Sequence, residues 1–209
     1  MKKASIIGYG DLGQQFHEYL KDIYNTDFFF FDDGIYNSTN DFKKPFVEYI
    51  EEKYKDSDFY VGLGYKNLHL KNRILNELKN QKSNIPKFIH NSSFVNRTAV
   101  IGNSVFIYPL CNIDIQVNIK QGSVINNGVI ISHDSTIGNC CYISPGCIIS
   151  GNVTIGDYTF LGSGTIISDN IKVGSNVKIG IGTVVTSDIP DNVSVIGNPM
   201  RILNSSLSL

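Results

Sequence analysis

The chain has 209 residues, enough for one large or two small domains. Its formal net charge of −1 argues against a nucleic-acid surface or an anionic-membrane surface. No apolar run approaches the roughly 20 residues that span a bilayer, and the N-terminus is predicted to be a first strand, not a signal peptide. The four cysteines lack metal-binding spacing and are expected to be reduced, which predicts a cytoplasmic location: Cys111, Cys140, Cys141 and Cys147.

Predicted strands and helices alternate through the first part of the chain. Strands are predicted at 2–8, 28–31, 59–63 and 87–89, and helices at 12–24, 42–54 and 67–80. This order predicts a small parallel sheet with helices on its faces. The sequence therefore predicts a Rossmann-like α/β domain over 1–86, with a boundary near Ile85-Pro86, and a second domain over 87–209.

A glycine-rich turn joins the first predicted strand to the first helix. Gly8, Gly10 and Gly13 have the spacing of a dinucleotide fingerprint, and the acidic pair Asp32-Asp33 follows about twenty residues later. Glycines let backbone amides approach a phosphate, and a helix N-terminus favours negative charge. A tight structural turn is the alternative. Because a full dinucleotide site needs a second half, for which this domain is too short, the motif favours a nucleotide-linked substrate over NAD.

From 89 to 185 the sequence repeats every six residues. An aliphatic residue occupies the same position in seventeen consecutive hexads, from Ile89 to Val185, without an insertion. Four residues later there is usually a small or β-branched residue, such as Val129 or Cys147. Neither a helix nor a lone strand has this period. A strict six-residue period indicates a β-helix of between five and six coils, if three hexads make one coil.

His133 is the preferred catalytic candidate in the repeat. It lies outside the inward positions, so it is predicted to project from the β-helix. The adjacent Asp134 could fix its tautomer and stabilise the imidazolium, which requires a corner because neighbours on a straight strand point apart. An ordinary surface histidine is the alternative. The remaining histidines are predicted to be solvent-facing, His17 and His69, or to make a structural hydrogen bond, His90.

The repeat resembles the hexapeptide-repeat acyltransferases. The whole chain is similar to bacterial sugar acetyltransferases, the family that includes sialic acid O-acetyltransferases and bacillosamine-pathway N-acetyltransferases. The segments that carry the resemblance are 7–10, 31–33, 88–92, 126–134, 150–156 and 196–199. The resemblance implies that the repeat is a left-handed parallel β-helix, an exception to the right-handed crossover rule. It also implies a homotrimer with its active sites between adjacent prisms.

The same resemblance implies roles for individual residues. His133 would be the general base, Asp134 the carboxylate that orients it, and the backbone amide of Gly151 the donor to the acetyl carbonyl of acetyl-CoA. The other candidates for acetyl-CoA binding are Gly180, Ile181 and Ser163. The candidates for binding the sugar nucleotide are Gly8, Gly10, Asp32, Asp33, Gly64 and Asn126. No metal is expected. Two positions depart from many relatives, which carry histidine there: Leu12 and Tyr142.

The function that follows is acetyl transfer from acetyl-CoA to the amino group of a nucleotide-linked amino-deoxy-sugar. A UDP- or dTDP-4-amino-4,6-dideoxy sugar of bacterial surface-glycan biosynthesis is an example. An O-acetyltransferase acting on a sialic acid or a related sugar is the main alternative. A trimeric scaffold that binds sugar nucleotides is the non-enzymatic one. A γ-type carbonic anhydrase is disfavoured because its zinc needs several histidines and the repeat offers His133.

Overall fold

A computed structural model describes residues 3–24, 28–36, 43–44 and 46–203 of the chain. The chain divides into two compact units, Met1–Pro86 and Lys87–Leu209. Among the described residues, no helix combines the length and the apolar character needed to cross a bilayer.

A four-stranded parallel sheet is the centre of the first unit. Its strands are β1 (Lys3–Ile7), β2 (Phe28–Phe31), β3 (Lys43–Lys44) and β4 (Ser57–Val61), in the order β3-β2-β1-β4 across the sheet. The helices are α1 (Asp11–Leu20), α2 (Asp33–Tyr36) and α3 (Leu68–Asn80). Helix α1 buries Leu12, Phe16 and Leu20, spaced four apart on one face, so its apolar stripe faces the core. The predicted parallel α/β architecture is confirmed.

The predicted helix at 42–54 is wrong where the structure describes it. Strand β3 comes first, and two short 3₁₀ helices follow, Phe46–Ile50 and Glu52–Tyr54. Pro45 lies inside the predicted helix, and a proline disfavours the helical conformation in the residue before it. Residues 42 and 45 themselves lie outside the described residues. The strand predicted at 87–89 belongs to the second unit, where Phe88–Ile89 pairs with Phe106–Ile107, and the fourth strand of the sheet is β3, which pairs with β2.

The second unit is a parallel β-solenoid. Seventeen two-residue strands each end on the aliphatic residue of one predicted hexad, and two further strands follow. In chain order they are β5 (Phe88–Ile89), β6 (Phe94–Val95), β7 (Val100–Ile101), β8 (Phe106–Ile107), β9 (Asn112–Ile113), β10 (Asn118–Ile119), β11 (Val124–Ile125), β12 (Ile130–Ile131), β13 (Thr136–Ile137), β14 (Tyr142–Ile143), β15 (Ile148–Ile149), β16 (Thr154–Ile155), β17 (Phe160–Leu161), β18 (Ile166–Ile167), β19 (Lys172–Val173), β20 (Lys178–Ile179), β21 (Val184–Val185), β22 (Ser194–Ile196) and β23 (Arg201–Leu203).

Every third strand of the solenoid pairs in parallel, so three hexads form one coil. Ile125, for example, is in register with Ile107 below it and Ile143 above it. The strands form a five-stranded, a six-stranded and an eight-stranded face, and the last includes β22 and the antiparallel β23. The predicted fold class, a small Rossmann-like domain followed by a left-handed parallel β-helix, is confirmed.

The core of the solenoid is a stack of inward aliphatic residues. From Ile107 to Val185 the inward aliphatics are buried, whereas Ile89 in the first coil is 36% exposed, because that coil has a neighbouring coil on one side only. The smaller inward residues four positions later are buried too, and their hydroxyls bind backbone. Ser135 Oγ, for instance, donates to the Ser150 carbonyl at 2.9 Å and accepts from the Val153 amide at 3.0 Å. Buried hydroxyls thereby join successive coils instead of remaining unpaired.

All four cysteines are buried and free. Burial raises the pKa of the Cys141 thiol to about 12 and that of the Cys147 thiol to about 11. Thiols that stay protonated are poor nucleophiles. The cysteines therefore serve as small residues of the solenoid.

Candidate functional site

The coils turn at three corners, which we number by the face that precedes them. The first corner follows the eight-stranded face, at 126–129 and its equivalents 18 residues away. The second corner follows the six-stranded face, at 132–135, and the third follows the five-stranded face, at 138–141. Each candidate residue of the repeat can be assigned to one of these corners.

The second corner holds His133 and Asp134 in contact. His133 Nδ1 and Asp134 Oδ2 are 2.9 Å apart, and the two side chains are 54% and 46% exposed. Asp134 has a φ of +60°, a left-handed conformation that turns the chain between the two residues. The structure thus contains the corner that the sequence required. With Nδ1 held by the carboxylate, Nε2 is the ring nitrogen available to a substrate.

The charge around His133 favours its protonated form. The hydrogen bond to Asp134 raises the pKa of His133, and the nearby charges of Asp134, Asp114 and Asp169 act in the same direction, against a smaller effect of desolvation. An imidazole with a raised pKa is the stronger base once it is neutral. The pair is therefore suited to accept a proton during a reaction.

Replacing Asp134 with asparagine is expected to move the acidic limb of the kcat/KM profile to lower pH. Neutral His133 is the form that acts as a base, so activity falls as the pH drops through its raised pKa, and loss of the carboxylate lowers that pKa. Plateau activity should also fall, by roughly tenfold, because the ring is less well oriented. Stopped assays from acid to neutral pH measure both. Asp157→Asn, at the third corner, serves as the control, and an unmoved limb in Asp134→Asn would contradict the assigned pair.

Gly151 lies at the same position of the second corner, one coil above His133. A Cβ atom there would come within 2.6 Å of both His133 Nε2 and Cε1, so any other residue would displace the ring from this position. The Gly151 amide donates to Asp169 Oδ1 at 2.9 Å. Sequence reasoning missed Asp169. Its signal is the coil length, because His133, Gly151 and Asp169 are spaced by 18 residues.

The first corner holds the other solenoid candidates. Asn126 is 5% exposed, and its side-chain amide donates to the Ile143 carbonyl at 3.2 Å. Gly180 occupies the equivalent position three coils above Asn126, and a Cβ atom there would meet Ile196 at 2.5 Å. The next residue, Ile181, is 81% exposed and follows Ser163 by one coil. Gly180 is buried beside Ile196, so Ile181 is the one of these two residues that offers an apolar surface to a ligand.

The six-stranded face separates these two groups of candidates. Each coil passes from the first corner along this face to the second corner. Within one chain, therefore, the structure brings His133, Asp134 and Gly151 together, but it places Asn126, Gly180 and Ile181 at the opposite edge of the face.

The six-stranded face carries an exposed apolar stripe. Its outward residues include Phe94, Ile130, Ile148 and Ile166, which are 59%, 40%, 38% and 41% exposed. The outward residues of the five-stranded face are mostly polar: Val100, Asn118, Thr136, Thr154 and Lys172. Asn112 lies between Phe94 and Ile130 on this face, so the contiguous part of the stripe is Ile130, Ile148 and Ile166. An exposed apolar patch of this kind indicates a protein interaction surface.

The glycines of the first unit have three different structural roles. Gly8 has a φ of +83°, which favours glycine. A Cβ atom on Gly13 would overlap the Gly8 carbonyl oxygen, whereas a Cβ atom on Gly10 would meet nothing within 4 Å. These are the roles expected of the three glycines in a nucleotide-binding turn. Gly8 allows the tight turn, Gly10 leaves space for a phosphate to approach the backbone, and Gly13 allows close packing of the helix on the strand.

The other candidates of the first unit lie at the same edge of its sheet. Strands β1, β2 and β4 are parallel, so the glycine turn, the Asp32-Asp33 pair and Gly64 all follow their carboxyl ends. Asp32 Oδ2 accepts a hydrogen bond from the Tyr9 amide at 2.7 Å, so this carboxylate fixes the turn. Asp33 is exposed at the start of α2, and a Cβ atom on Gly64 would meet nothing within 4 Å.

The two departures from the family pattern have simple structural settings. Leu12 is 7% exposed and belongs to the buried stripe of α1. Tyr142 is half-buried on β14, where its ring stacks on Phe160 with 5.9 Å between centroids. Leu12 therefore contributes to packing, and Tyr142 is part of an aromatic stack on the eight-stranded face.

The remaining histidines are not grouped with His133. His17 is not solvent-facing as predicted. It is half-buried, with Nδ1 2.8 Å from Tyr9 Oη and its ring packed between Phe28 and Phe30, and burial lowers its pKa. His69 is exposed, and His90 Nδ1 is 2.8 Å from Ser92 Oγ. In the part of the chain that the structure describes, no three His, Cys, Asp or Glu residues are grouped as metal ligands would be.

Known proteins share both the repeat and the whole fold. The family model described as bacterial transferase hexapeptide (six repeats) matches residues 134–169. No curated protein sequence matches the chain. The acetyltransferase domain of PglB from Neisseria gonorrhoeae is 28% identical, with a TM-score of 0.88 over 97% of this chain and 100% of that one.

Two further structures contain ligands. The same PglB domain in complex with acetyl coenzyme A is 27% identical, with a TM-score of 0.85 over 97% of this chain and 99% of that one. PerB from Caulobacter crescentus, in complex with CoA and GDP-perosamine, is 22% identical, with a TM-score of 0.88 over 98% of both chains. The likeness to PerB shows a common fold.

Proposed function

Because the chain is a hexapeptide-repeat sugar acetyltransferase, we propose that it transfers an acetyl group from acetyl-CoA to the amino group of a nucleotide-linked amino-deoxy-sugar. A UDP- or dTDP-4-amino-4,6-dideoxy sugar of bacterial surface-glycan biosynthesis is a suitable acceptor. The observation that carries the proposal is the His133–Asp134 pair beside Gly151, on a fold that covers all of the PglB acetyltransferase domain.

The chemistry needs one base and one oxyanion donor. The amine nitrogen of the acceptor sugar attacks the thioester carbonyl carbon and forms the C–N bond, while His133 Nε2 accepts a proton from that amine. Asp134 holds the ring and stabilises the imidazolium. The Gly151 N–H donates to the carbonyl oxygen as negative charge develops there. When the C–S bond breaks, the thiolate of CoA leaves and takes up the proton, so no covalent enzyme intermediate is required.

A homotrimer would complete this site. Association through the apolar stripe of the six-stranded face would bring the first corner of one copy toward the second corner of its neighbour. His133 would then face Gly180 and Ile181 of the adjacent copy, beside which we place the pantetheine arm. The exposed Ile130, Ile148 and Ile166 support this arrangement because they offer an apolar surface for association.

The first unit would hold the nucleotide. We assign the Gly10 amide, at the start of α1, to the phosphates and Asp33 to the base. The Gly8 amide donates to the Phe31 carbonyl at 2.8 Å, so Gly8 would shape the turn beside the phosphates. Asp32 supports the turn through Tyr9. PerB, which has the same fold and was crystallised with GDP-perosamine, supports a nucleotide-linked amino sugar as the acceptor.

A substrate panel tests the proposal. Nucleotide amino-sugars based on UDP, dTDP and GDP are each incubated with acetyl-CoA, and thiol release is followed. At least one should be turned over, and the same amino-sugars without a nucleotide should react poorly. Turnover of a sialic acid alone would favour the O-acetyltransferase alternative. Absence of acetyl-CoA binding by calorimetry would favour the scaffold.

The Gly10→Val variant tests whether the glycine turn binds the sugar nucleotide. A Cβ atom on Gly10 meets nothing within 4 Å, and Gly10 has an extended backbone that any residue adopts, so the melting temperature should change little. The KM for the sugar nucleotide should rise about tenfold, because the valine side chain would obstruct the phosphate's approach to the Gly10 N–H and weaken one charge-assisted hydrogen bond. The KM for acetyl-CoA should stay unchanged. An unaltered KM for the sugar nucleotide would show that the phosphates do not bind at this turn.

A further inference from the structure

The Gly151 amide is already occupied. It donates to Asp169 Oδ1 at 2.9 Å, and the carboxylate of Asp169 lies 3.3 Å from the point where a Cβ atom of Gly151 would be. His133 Nε2 lies 2.6 Å from that same point. The carboxylate and the imidazole therefore flank Gly151 together. An N–H has a single hydrogen to donate, so an acetyl carbonyl cannot bind it well while Asp169 does.

The same kind of bond recurs elsewhere in the solenoid. At the third corner the Asn139 amide donates to Asp157 Oδ1 and the Ser175 amide donates to Asp191 Oδ1, each at 2.7 Å. An aspartate that accepts from the backbone of the coil below is thus a structural device of this fold. Of these three aspartates, only Asp169 acts on a glycine that touches His133. This location gives the bond a consequence that its two counterparts lack.

We propose that Asp169 is a positioning residue that competes with the acetyl carbonyl for the Gly151 N–H, so that acetyl-CoA binds fully only when this carboxylate is released. The inference rests on the proposed function, which assigns that N–H to the carbonyl. The carboxylate and the developing oxyanion are both negative and need the same hydrogen, so they exclude each other. Asp169 is exposed, and its carboxylate is readily solvated once released.

Competition has a measurable signature in the preference for acetyl-CoA over CoA. CoA has no acetyl carbonyl, so it has no need of the Gly151 N–H and leaves Asp169 in place. Removing the carboxylate therefore strengthens the binding of acetyl-CoA and leaves that of CoA unchanged. A purely structural role would weaken both ligands or neither.

The experiment measures the dissociation constants of acetyl-CoA and CoA by calorimetry for the full chain and its variants. Asp169→Ala should raise the preference for acetyl-CoA roughly three- to tenfold, the net contribution of one hydrogen bond. Asp169→Asn should raise it less, because a neutral amide oxygen still accepts from Gly151 but more weakly. Asp157→Ala removes an equivalent bond at the third corner and should leave the preference unchanged.

An unchanged or lower preference in folded Asp169→Ala would overturn the inference and leave the proposed function intact. If Asp169→Ala does not fold, Asp169→Asn is used instead, since it keeps a hydrogen-bond acceptor. The same ratio of acetyl-CoA to CoA dissociation constants then tests the inference. Failure of the unsubstituted chain to bind acetyl-CoA would instead overturn the proposed function, and the inference with it. The two failures are therefore distinguishable.

Discussion

Replacing His133 with alanine is expected to lower kcat about 10²- to 10⁴-fold, the usual contribution of a positioned general base. The protein should stay folded, because the side chain is 54% exposed and lies outside the inward ladder of the solenoid. The KM values should change little, since the ring acts mainly in the transition state. Steady-state thiol release measures the loss, and circular dichroism monitors the fold.

His69→Ala is the matched control for this substitution. His69 is exposed on α3, and its removal should leave kcat within experimental error. Turnover close to that of the unsubstituted chain in His133→Ala would exclude this histidine as the base.

Replacing Ile148 with aspartate is expected to produce a monomer with less than about one hundredth of the original activity. Ile148 is in the middle of the apolar stripe, and burying an unpaired carboxylate in an interface costs several kcal/mol. Activity should fall with association, because His133 and Ile181 lie at opposite edges of the six-stranded face and would meet only across two copies of the proposed trimer. Light scattering and thiol release at matched concentrations measure both effects.

Val100→Asp tests whether this effect is specific to the stripe. Val100 is also apolar and 61% exposed, but it points outward from the five-stranded face. Its replacement should leave both the mass and the activity unchanged. A fully active monomer in Ile148→Asp would contradict the proposal of a shared active site.

The solenoid was predictable because its information is local and repeated. Each hexad from Ile89 to Val185 specifies one strand, so no long-range pairing had to be inferred. The segment at 42–54 lacked such repetition. There, apolar spacing suggested a helix, while Pro45 and the place beside β2 favoured a short strand and 3₁₀ helices.

The candidate site was predictable in part. The contact of His133 with Asp134 could be expected, since adjacent side chains meet only at a corner. Asp169 could not be expected until the coil was known to hold eighteen residues, which places it two coils above His133. The opposite locations of Asn126 and Gly151 likewise depend on which face lies between their corners, and a six-residue period alone does not specify this.

The eighteen-residue coil restricts which insertions and deletions the protein can accept during evolution. Residues spaced by this interval form vertical columns, and the column of His133, Gly151 and Asp169 exists only while the spacing is kept. Within the regular coils, a single inserted residue between 133 and 169 would shift at least one member by one position along the coil and so out of the column. Whole-coil duplications outside that interval would lengthen the prism and leave the column intact. The chemistry of this fold is therefore free to diversify by substitution, while its length changes in steps of one coil.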